Sequence, residues 1–130
     1  MPGDSISVVL VEDNDGFREL LELLLEIVPD VEVVASVPDG RSAVTVCPGL
    51  EPDVVLLDYR LPELDGVETT ARIHAACPNT AVVILSAEAE RNEVEALYEA
   101  GAVAFLTKDR ELDEIVGAIR DAAGRDAALR

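Results

Sequence analysis

Five short runs of apolar residues recur along the chain, and amphipathic segments separate them. Most of the runs are continuously apolar rather than alternating, which is typical of strands covered on both faces of a parallel sheet. The runs span residues 7–11, 31–35, 54–57, 81–85 and 103–106. The pattern therefore predicts five strands.

The intervening segments carry the spacing of apolar residues that predicts helices. In the first and last segments, apolar side chains three and four residues apart form a stripe along one helix face. The two stripes are Phe17, Leu20, Leu21, Leu24 and Val28, and Leu112, Ile115, Val116, Ile119 and Ala123.

The three middle helices are predicted from their boundaries. A second helix is expected from Gly40 to about Val46, because Pro48 and the glycine after it oppose its continuation. A third should follow Gly66 and end before Pro78, and a polar fourth should lie between residues 88 and 100.

A strand followed by a helix, five times over, predicts an α/β fold of the flavodoxin-like, doubly wound kind. Its five-stranded parallel sheet, (βα)5, would have right-handed crossovers and helices on both faces. Residues 1–124 are expected to form this single domain. Residues 125–130 are expected to be a C-terminal tail or the start of a linker.

Composition narrows the classes of function. The 130 residues include 27 acidic and 10 basic side chains, a formal net charge of −17. That balance argues against binding to nucleic acid or an anionic membrane surface, because both need clustered cations. With 49% hydrophobic residues the chain should nevertheless fold. No apolar run approaches the ~18 residues of a membrane span, and no secretory signal is evident, so a cytoplasmic protein is expected.

The two cysteines indicate no metal or disulfide site. Cys47 and Cys77 lack the spacing of metal ligands, and His74 is the only histidine that could join them. Both thiols are interpreted as small packing groups, and His74 as an exposed helix residue.

Polar residues capable of chemistry follow four of the five predicted strands. Glu12 and Asp13 follow the first strand, Asp58 the third, Ser86 the fourth and Lys108 the fifth. Ligands of open parallel sheets bind beyond the carboxyl ends of the strands. These five side chains are therefore expected at one rim.

Three carboxylates on one rim favour a hard cation. Mg²⁺ suits a site with a few carboxylates, and without it the acids would repel one another and raise each other's pKa. Asp58 then has a second role open to it, as a nucleophile that accepts a phosphoryl group. Lys108, the only lysine in the chain, could neutralise the transferring oxygens, and Ser86 could donate to one of them.

Each residue also has an ordinary structural interpretation. Glu12 and Asp13 could cap the following helix, although Asn14 or Asp15 is better placed. Taken singly, Asp58 fits a turn or cap, Ser86 fits a helix cap and Lys108 fits an exposed surface residue. These separate interpretations do not explain why all of the residues fall on the same rim.

Four motifs, each at a predicted strand end, make the sequence similar to a known family. They are VVLVED at residues 8–13; PDVVLLDYRLP at 52–62 with Asp65-Gly66 after it; VILSA at 83–87; and AGA at 100–102 leading to FLTK at 105–108. Together they resemble the receiver domain of a bacterial two-component response regulator. The resemblance covers about residues 5–123.

The resemblance implies a role for each matching residue. Asp58 matches the phosphoacceptor and Lys108 the phosphate-binding lysine. Glu12 and Asp13 match the acidic pair that holds Mg²⁺ together with Asp58, and the backbone carbonyl of Arg60 matches a further metal ligand.

The resemblance also implies a switch. Ser86 matches the hydroxyl that moves toward the phosphoryl group, and Phe105 the aromatic side chain that moves with it. Glu12 replaces a more usual aspartate, and Phe105 a common tyrosine. Arg60 and Glu88 occupy the two variable positions that tune hydrolysis of the acyl phosphate, and they could pair across the mouth of the site.

Partners and output follow from the same resemblance. A cognate histidine kinase would supply the phosphoryl group, and the chain would be a switch rather than an enzyme, with autophosphorylation and autodephosphorylation as its only chemistry. Lys108-Asp109 and the helix over residues 111–120 resemble receivers of the NarL/LuxR type. That type implies transcriptional regulation through a following DNA-binding domain, and homodimerisation through the first and fifth helices on phosphorylation. The alternative is a stand-alone receiver that acts by protein contacts.

Three rival functions fit less well. A phosphate-binding module needs a Gly-, Ser- or Thr-rich loop after the first strand, where this chain has four consecutive polar residues, three of them acidic. An aspartate-nucleophile phosphatase needs a second aspartate where Arg60 stands. A calcium loop with its glycine at Gly16 would place Val11 at the first ligand position.

Overall fold

The computed structural model describes residues 5–61, 64–87 and 91–124. Within them, strands and helices alternate as the apolar pattern predicts. The elements are β1 Ile6–Val11, α1 Asp15–Glu26, β2 Val31–Val37, α2 Gly40–Leu50, β3 Val54–Leu57, α3 Gly66–Ala76, β4 Ala81–Ser86, α4 Arg91–Ala100, β5 Ala102–Thr107 and α5 Leu112–Ala122.

The five strands form one parallel sheet in the order β2-β1-β3-β4-β5. The predicted doubly wound α/β fold is confirmed. The central strands β1, β3 and β4 are almost wholly buried, whereas β2 and β5 at the edges are partly exposed. Full burial on both faces explains why the central strands are continuously apolar.

Two apolar clusters cover the two faces of the sheet. Alternate strand residues such as Leu10, Leu56 and Leu85 pack with apolar residues of α1 and α5. Their neighbours, including Leu57 and Ile84, pack with apolar residues of α2, α3 and α4. Because β1 and β3 are parallel neighbours, their carboxyl ends lie side by side at the carboxyl-terminal edge of the sheet.

The second helix is longer than predicted. It runs on through Pro48 to Leu50, so the expected end near Val46 is wrong. Pro48 lies on the exposed side of the last turn, where its missing N–H removes a single helical hydrogen bond. Cys47, which is wholly buried, holds that turn on the core. Glu51, directly after the helix, caps it: its backbone is left-handed (φ 46°), and its N–H donates to the Cys47 carbonyl at 2.7 Å.

The smaller predictions about helix ends and thiols are mostly confirmed. Asn14 caps α1, its side chain accepting the Phe17 N–H at 2.8 Å, so Glu12 and Asp13 do not cap that helix. Cys47 and Cys77 are free and buried, and His74 is exposed. Among the described residues, no helix has both the length and the apolar character that a membrane crossing requires.

Candidate functional site

The strand ends bring the predicted polar residues to one edge of the sheet. Glu12 and Asp13 directly follow β1, Asp58 follows β3, Ser86 ends β4 and Lys108 follows β5. Two backbone hydrogen bonds join these ends. The Asp58 N–H donates to the Val11 carbonyl at 2.9 Å, and the Lys108 N–H donates to the Ser86 carbonyl at 2.8 Å. The shared position therefore follows from strand order and register.

Three carboxylates converge at the centre of this edge. Glu12, Asp13 and Asp58 each offer an oxygen within 4.8 Å of the others. Glu12 and Asp58 are only 2% and 5% exposed, whereas Asp13 faces solvent. Oxygen donors of this kind are those that Mg²⁺ and other hard cations prefer. The arrangement can hold a divalent ion with one side open to water.

Lys108 reaches across the carboxylates. Its ammonium lies 2.7 Å from Glu12 Oε1 and 3.4 Å from Asp58 Oδ2. The same nitrogen stands 4.7 Å from the centre of the Phe17 ring, within the range of a cation–π contact. Glu12 Oε2 accepts the Asn14 N–H at 3.0 Å, so both oxygens of Glu12 have partners. Lys108 and Glu12 therefore form a tight ion pair beside Asp58.

The pKa values follow from this crowding. Burial, followed by the charge of Glu12, raises the pKa of Asp58 from 3.8 to about 6, although the Arg60 N–H and Lys108 pull it down. Burial disfavours the charge on Lys108, but its contacts with Glu12 and Asp58 outweigh that effect and raise the pKa of the ammonium. The negative charge of Asp58 is therefore unfavourable in this site, and a bound cation would stabilise it.

The segment after Asp58 is held from both sides. The Arg60 N–H donates to Asp58 Oδ1 at 3.1 Å, and the Gly66 N–H donates to the Tyr59 carbonyl at 3.0 Å. The side chains of Tyr59 and Arg60 instead contact Glu93 on α4. The predicted pairing of Arg60 with Glu88 involves a residue outside those that the structure describes.

Residues 8–120 match the sequence model of the family described as the response regulator receiver domain. The chain belongs to this family. The curated relatives include the probable transcriptional regulatory protein NarL of Mycobacterium tuberculosis, which is 37% identical over 124 residues, covering 95% of this chain and 57% of that protein. This receiver spans about half to three-fifths of the length of the first curated relatives that it matches.

Solved structures of receivers superpose on the whole fold. The signal receiver domain of the putative response regulator NarL from Mycobacterium tuberculosis has a TM-score of 0.89 at 35% identity, covering 95% of this chain and 99% of that one. The receiver domain of a sensor histidine kinase from Pseudomonas aeruginosa, solved with a magnesium ion coordinated in its active-site cleft, has a TM-score of 0.82 at 29% identity. It covers 92% of this chain and 98% of that one.

The structure places the two predicted switch residues on neighbouring strands of the receiver. Ser86 is wholly buried and pairs with Thr107 in the sheet register, while Phe105 pairs with Ile84. Phe105 is partly buried and packs against the cluster on the α2, α3 and α4 face. The ring therefore lies along β5 on the side that α4 covers.

Three residues near the receiver site had no assigned role there from sequence. Phe17 belongs to the apolar stripe of α1, so its periodicity signalled only a core position. Tyr59 follows Asp58 within the second motif, and Glu93 is one of several acids on a polar helix. The sequence around Tyr59 and Glu93 does not indicate that they are in contact, because the two residues are 34 positions apart.

Proposed function

We propose that this receiver is a phosphorylation-controlled switch that accepts a phosphoryl group on Asp58 in the presence of Mg²⁺. The observation that carries the proposal is a carboxylate only 5% exposed, with Glu12 and Asp13 beside it and the Lys108 ammonium 3.4 Å away. A cation site next to a nucleophilic carboxylate is what phosphoryl transfer requires, since that reaction depends on positioning and neutralisation of charge.

The donor set fits Mg²⁺. The carboxylates of Glu12, Asp13 and Asp58, with the backbone carbonyl of Arg60, would hold the ion. When bound, it would supply positive charge to the oxygens of the transferring phosphoryl group. Each oxygen of Glu12 already has one partner, Lys108 at Oε1 and the Asn14 N–H at Oε2, so direct ligation would use the remaining lone pair of one of them and would compete with that contact. Contact through a water molecule would leave that ion pair intact.

The transfer is balanced as a displacement at phosphorus. A carboxylate oxygen of Asp58 forms a bond to phosphorus while the bond from phosphorus to the donor breaks, and the donor leaves with the electron pair. The donor is the phosphohistidine of a cognate histidine kinase or a small acyl phosphate. Water later cleaves the aspartyl phosphate, releasing inorganic phosphate and restoring the carboxylate.

Chain residues hold the charge that develops during transfer. The Lys108 ammonium already lies between Glu12 and Asp58, so it is placed to pair with a phosphoryl oxygen on Asp58. Ser86 is the last residue of β4, the strand next to β3, and its hydroxyl is proposed to donate to another of these oxygens. Phe105 is proposed to move into the space that Ser86 vacates, which changes the surface of α4 and β5.

An aspartate-nucleophile phosphatase is disfavoured by Arg60. That chemistry needs a carboxylic acid two positions after the nucleophile to protonate the leaving group, and a guanidinium cannot take this role because it stays protonated. Water reaching the acyl phosphate remains the route of dephosphorylation. Under this proposal the chain is a switch with phosphorylation chemistry of its own and no separate substrate.

The proposed output is transcriptional. Relatives such as NarL of Mycobacterium tuberculosis are named as transcriptional regulatory proteins, and this chain matches about half of their length. We propose residues 1–124 as the receiver and residues 125–130 as a tail or the start of a linker to an output domain. A stand-alone receiver is the alternative, and the length of the native gene product distinguishes the two.

The proposed partner in the active state is a second copy of this receiver, through the first and fifth helices. Three large apolar side chains, Leu20 and Leu23 on α1 and Ile27 directly after it, are 48%, 64% and 73% exposed. A negative charge introduced by substitution on this face should oppose the pairing of two receivers. Analytical ultracentrifugation with acetyl phosphate and Mg²⁺ should show a dimer for the wild type and a monomer for Leu23→Glu. A wild type that stays monomeric when phosphorylated contradicts this surface.

Phosphorylation itself is tested by intact-mass spectrometry. The wild type, incubated with acetyl phosphate and Mg²⁺, should gain the mass of one phosphoryl group and should not gain it in EDTA. Asp58→Ala should gain none, whereas Asp121→Asn, which removes an exposed acid of α5, should behave as the wild type does. Uptake by Asp58→Ala as efficient as by the wild type would overturn the proposal.

A further inference from the structure

Glu93 on α4 contacts both residues that follow the phosphoacceptor. The Tyr59 hydroxyl donates to Glu93 Oε2 at 2.8 Å, and an Arg60 guanidinium nitrogen lies 3.7 Å from Glu93 Oε1. The Arg60 guanidinium also stands 5.4 Å from the centre of the Tyr59 ring. One carboxylate thus orients a phenol and a guanidinium at the mouth of the Asp58 site.

Hydrogen bonds hold the backbone of Tyr59 and Arg60 in place beside Asp58 and the start of α3. The Arg60 N–H is tied to Asp58 and the Tyr59 carbonyl to the Gly66 N–H. A Cβ atom on Gly66 would lie 2.8 Å from Tyr59 Cα, which shows how closely the start of α3 packs on Tyr59. The Arg60 side chain, in contrast, is 56% exposed. Its guanidinium can change position while its backbone stays beside Asp58.

Two anionic groups therefore compete for one cation once Asp58 carries a phosphoryl group. Glu93 holds the guanidinium toward α4, and phosphoryl oxygens attract a guanidinium strongly, because its planar fork matches them. The Glu93 contact is partly exposed and its distance is long for an ion pair, so the hold is modest.

We propose that Glu93 is a positioning residue that holds the Arg60 guanidinium away from the phosphoryl group and thereby lowers the affinity of the Asp58 site for that anion. The inference rests on the proposed function of Asp58. It adds a residue of α4 that acts on the site through Arg60, independently of Ser86 and Phe105.

The test uses beryllofluoride, an anion that mimics a phosphoryl group on a carboxylate oxygen, with Mg²⁺ and isothermal titration calorimetry. Glu93→Gln removes the charge and keeps an oxygen that can accept the Tyr59 hydroxyl. It should tighten beryllofluoride binding about threefold, the size expected for a partly exposed ion pair. Glu95→Gln removes the same charge from an exposed position of the same helix and should leave the affinity unchanged.

The decisive comparison repeats Glu93→Gln in an Arg60→Gln background. If Glu93 acts through Arg60, its substitution should then have no effect, whereas a general effect of charge or of α4 structure would persist. The inference is overturned by an unchanged affinity in Glu93→Gln, or by an equal gain in the Arg60→Gln background. A wild type that binds no beryllofluoride with Mg²⁺ instead refutes the proposed function, and the inference with it.

Discussion

Replacing Asp58 by asparagine should stabilise the metal-free receiver. The substitution keeps the shape of the side chain and its acceptor for the Arg60 N–H, but it removes a negative charge that is buried next to Glu12. A removal of charge usually weakens a site built around an ion pair. Here we expect the opposite, because burial and Glu12 disfavour the ionised form of Asp58 more than Lys108 favours it.

The size of the stabilisation expected for Asp58→Asn follows from the pKa of Asp58. Folding raises it from 3.8 to about 6, so the unfolded chain loses this proton more readily than the folded one. The penalty is absent below the lower pKa, grows as pH rises between the two values and is complete above the higher one. At 1.36 kcal/mol for each pKa unit, the penalty at about pH 8 is about 3 kcal/mol. Asparagine should recover about 2 to 3 kcal/mol of it.

Urea unfolding followed by circular dichroism measures this difference. In EDTA at about pH 8, the free energy of unfolding of Asp58→Asn should exceed that of the wild type by about 2 to 3 kcal/mol. At about pH 4.5 the difference should be less than half of that. Mg²⁺ should stabilise the wild type more than Asp58→Asn, which loses one carboxylate ligand, since an ion bound only by the folded state raises its stability. The reasoning fails if Asp58→Asn is less stable in EDTA at pH 8, or if the difference does not depend on pH.

Two further predictions concern the packing and charge around the site. Gly66→Ala should lower the free energy of unfolding by about 1–3 kcal/mol, because its Cβ would meet the Tyr59 backbone; Gly49→Ala, with no atom within 4 Å, should not destabilise the fold. Lys108→Met should cost roughly 1–3 kcal/mol in EDTA, because it leaves the buried Glu12 carboxylate short of a partner, and less in Mg²⁺. Urea titrations of each variant check both, and equal losses in EDTA and Mg²⁺ would contradict the second.

Most of the fold could be predicted because its central strands are buried on both faces. Apolar runs such as Val54–Leu57 admit no polar residue, so the sequence itself marks them. The end of α2 could not be predicted, because proline usually stops a helix. Pro48 is tolerated on an exposed last turn, and that position depends on the packing of Cys47 against the sheet.

The candidate site, too, has features that the sequence predicts and features that it does not. Glu12, Asp13 and Asp58 were predictable as neighbours because the geometry of a parallel sheet brings strand ends together whatever the side chains are. The contacts of Phe17 and Glu93 were not, because they depend on where two helices lie over that edge. A periodic apolar stripe predicts that Phe17 is covered, but not that the Lys108 ammonium covers it.

The charges of the site explain why a single arginine beside it matters. Three carboxylates and one ammonium leave the metal-free site with an excess of negative charge, and a divalent cation would balance it. The proposed conversion of the Asp58 carboxylate to an aspartyl phosphate would add about one further negative charge, since a phosphoryl group carries nearly two at neutral pH. Arg60 is a cation whose backbone already touches Asp58, and Glu93 competes for its guanidinium. The strength of that competition is therefore expected to modulate the affinity of the Asp58 site for a phosphoryl group.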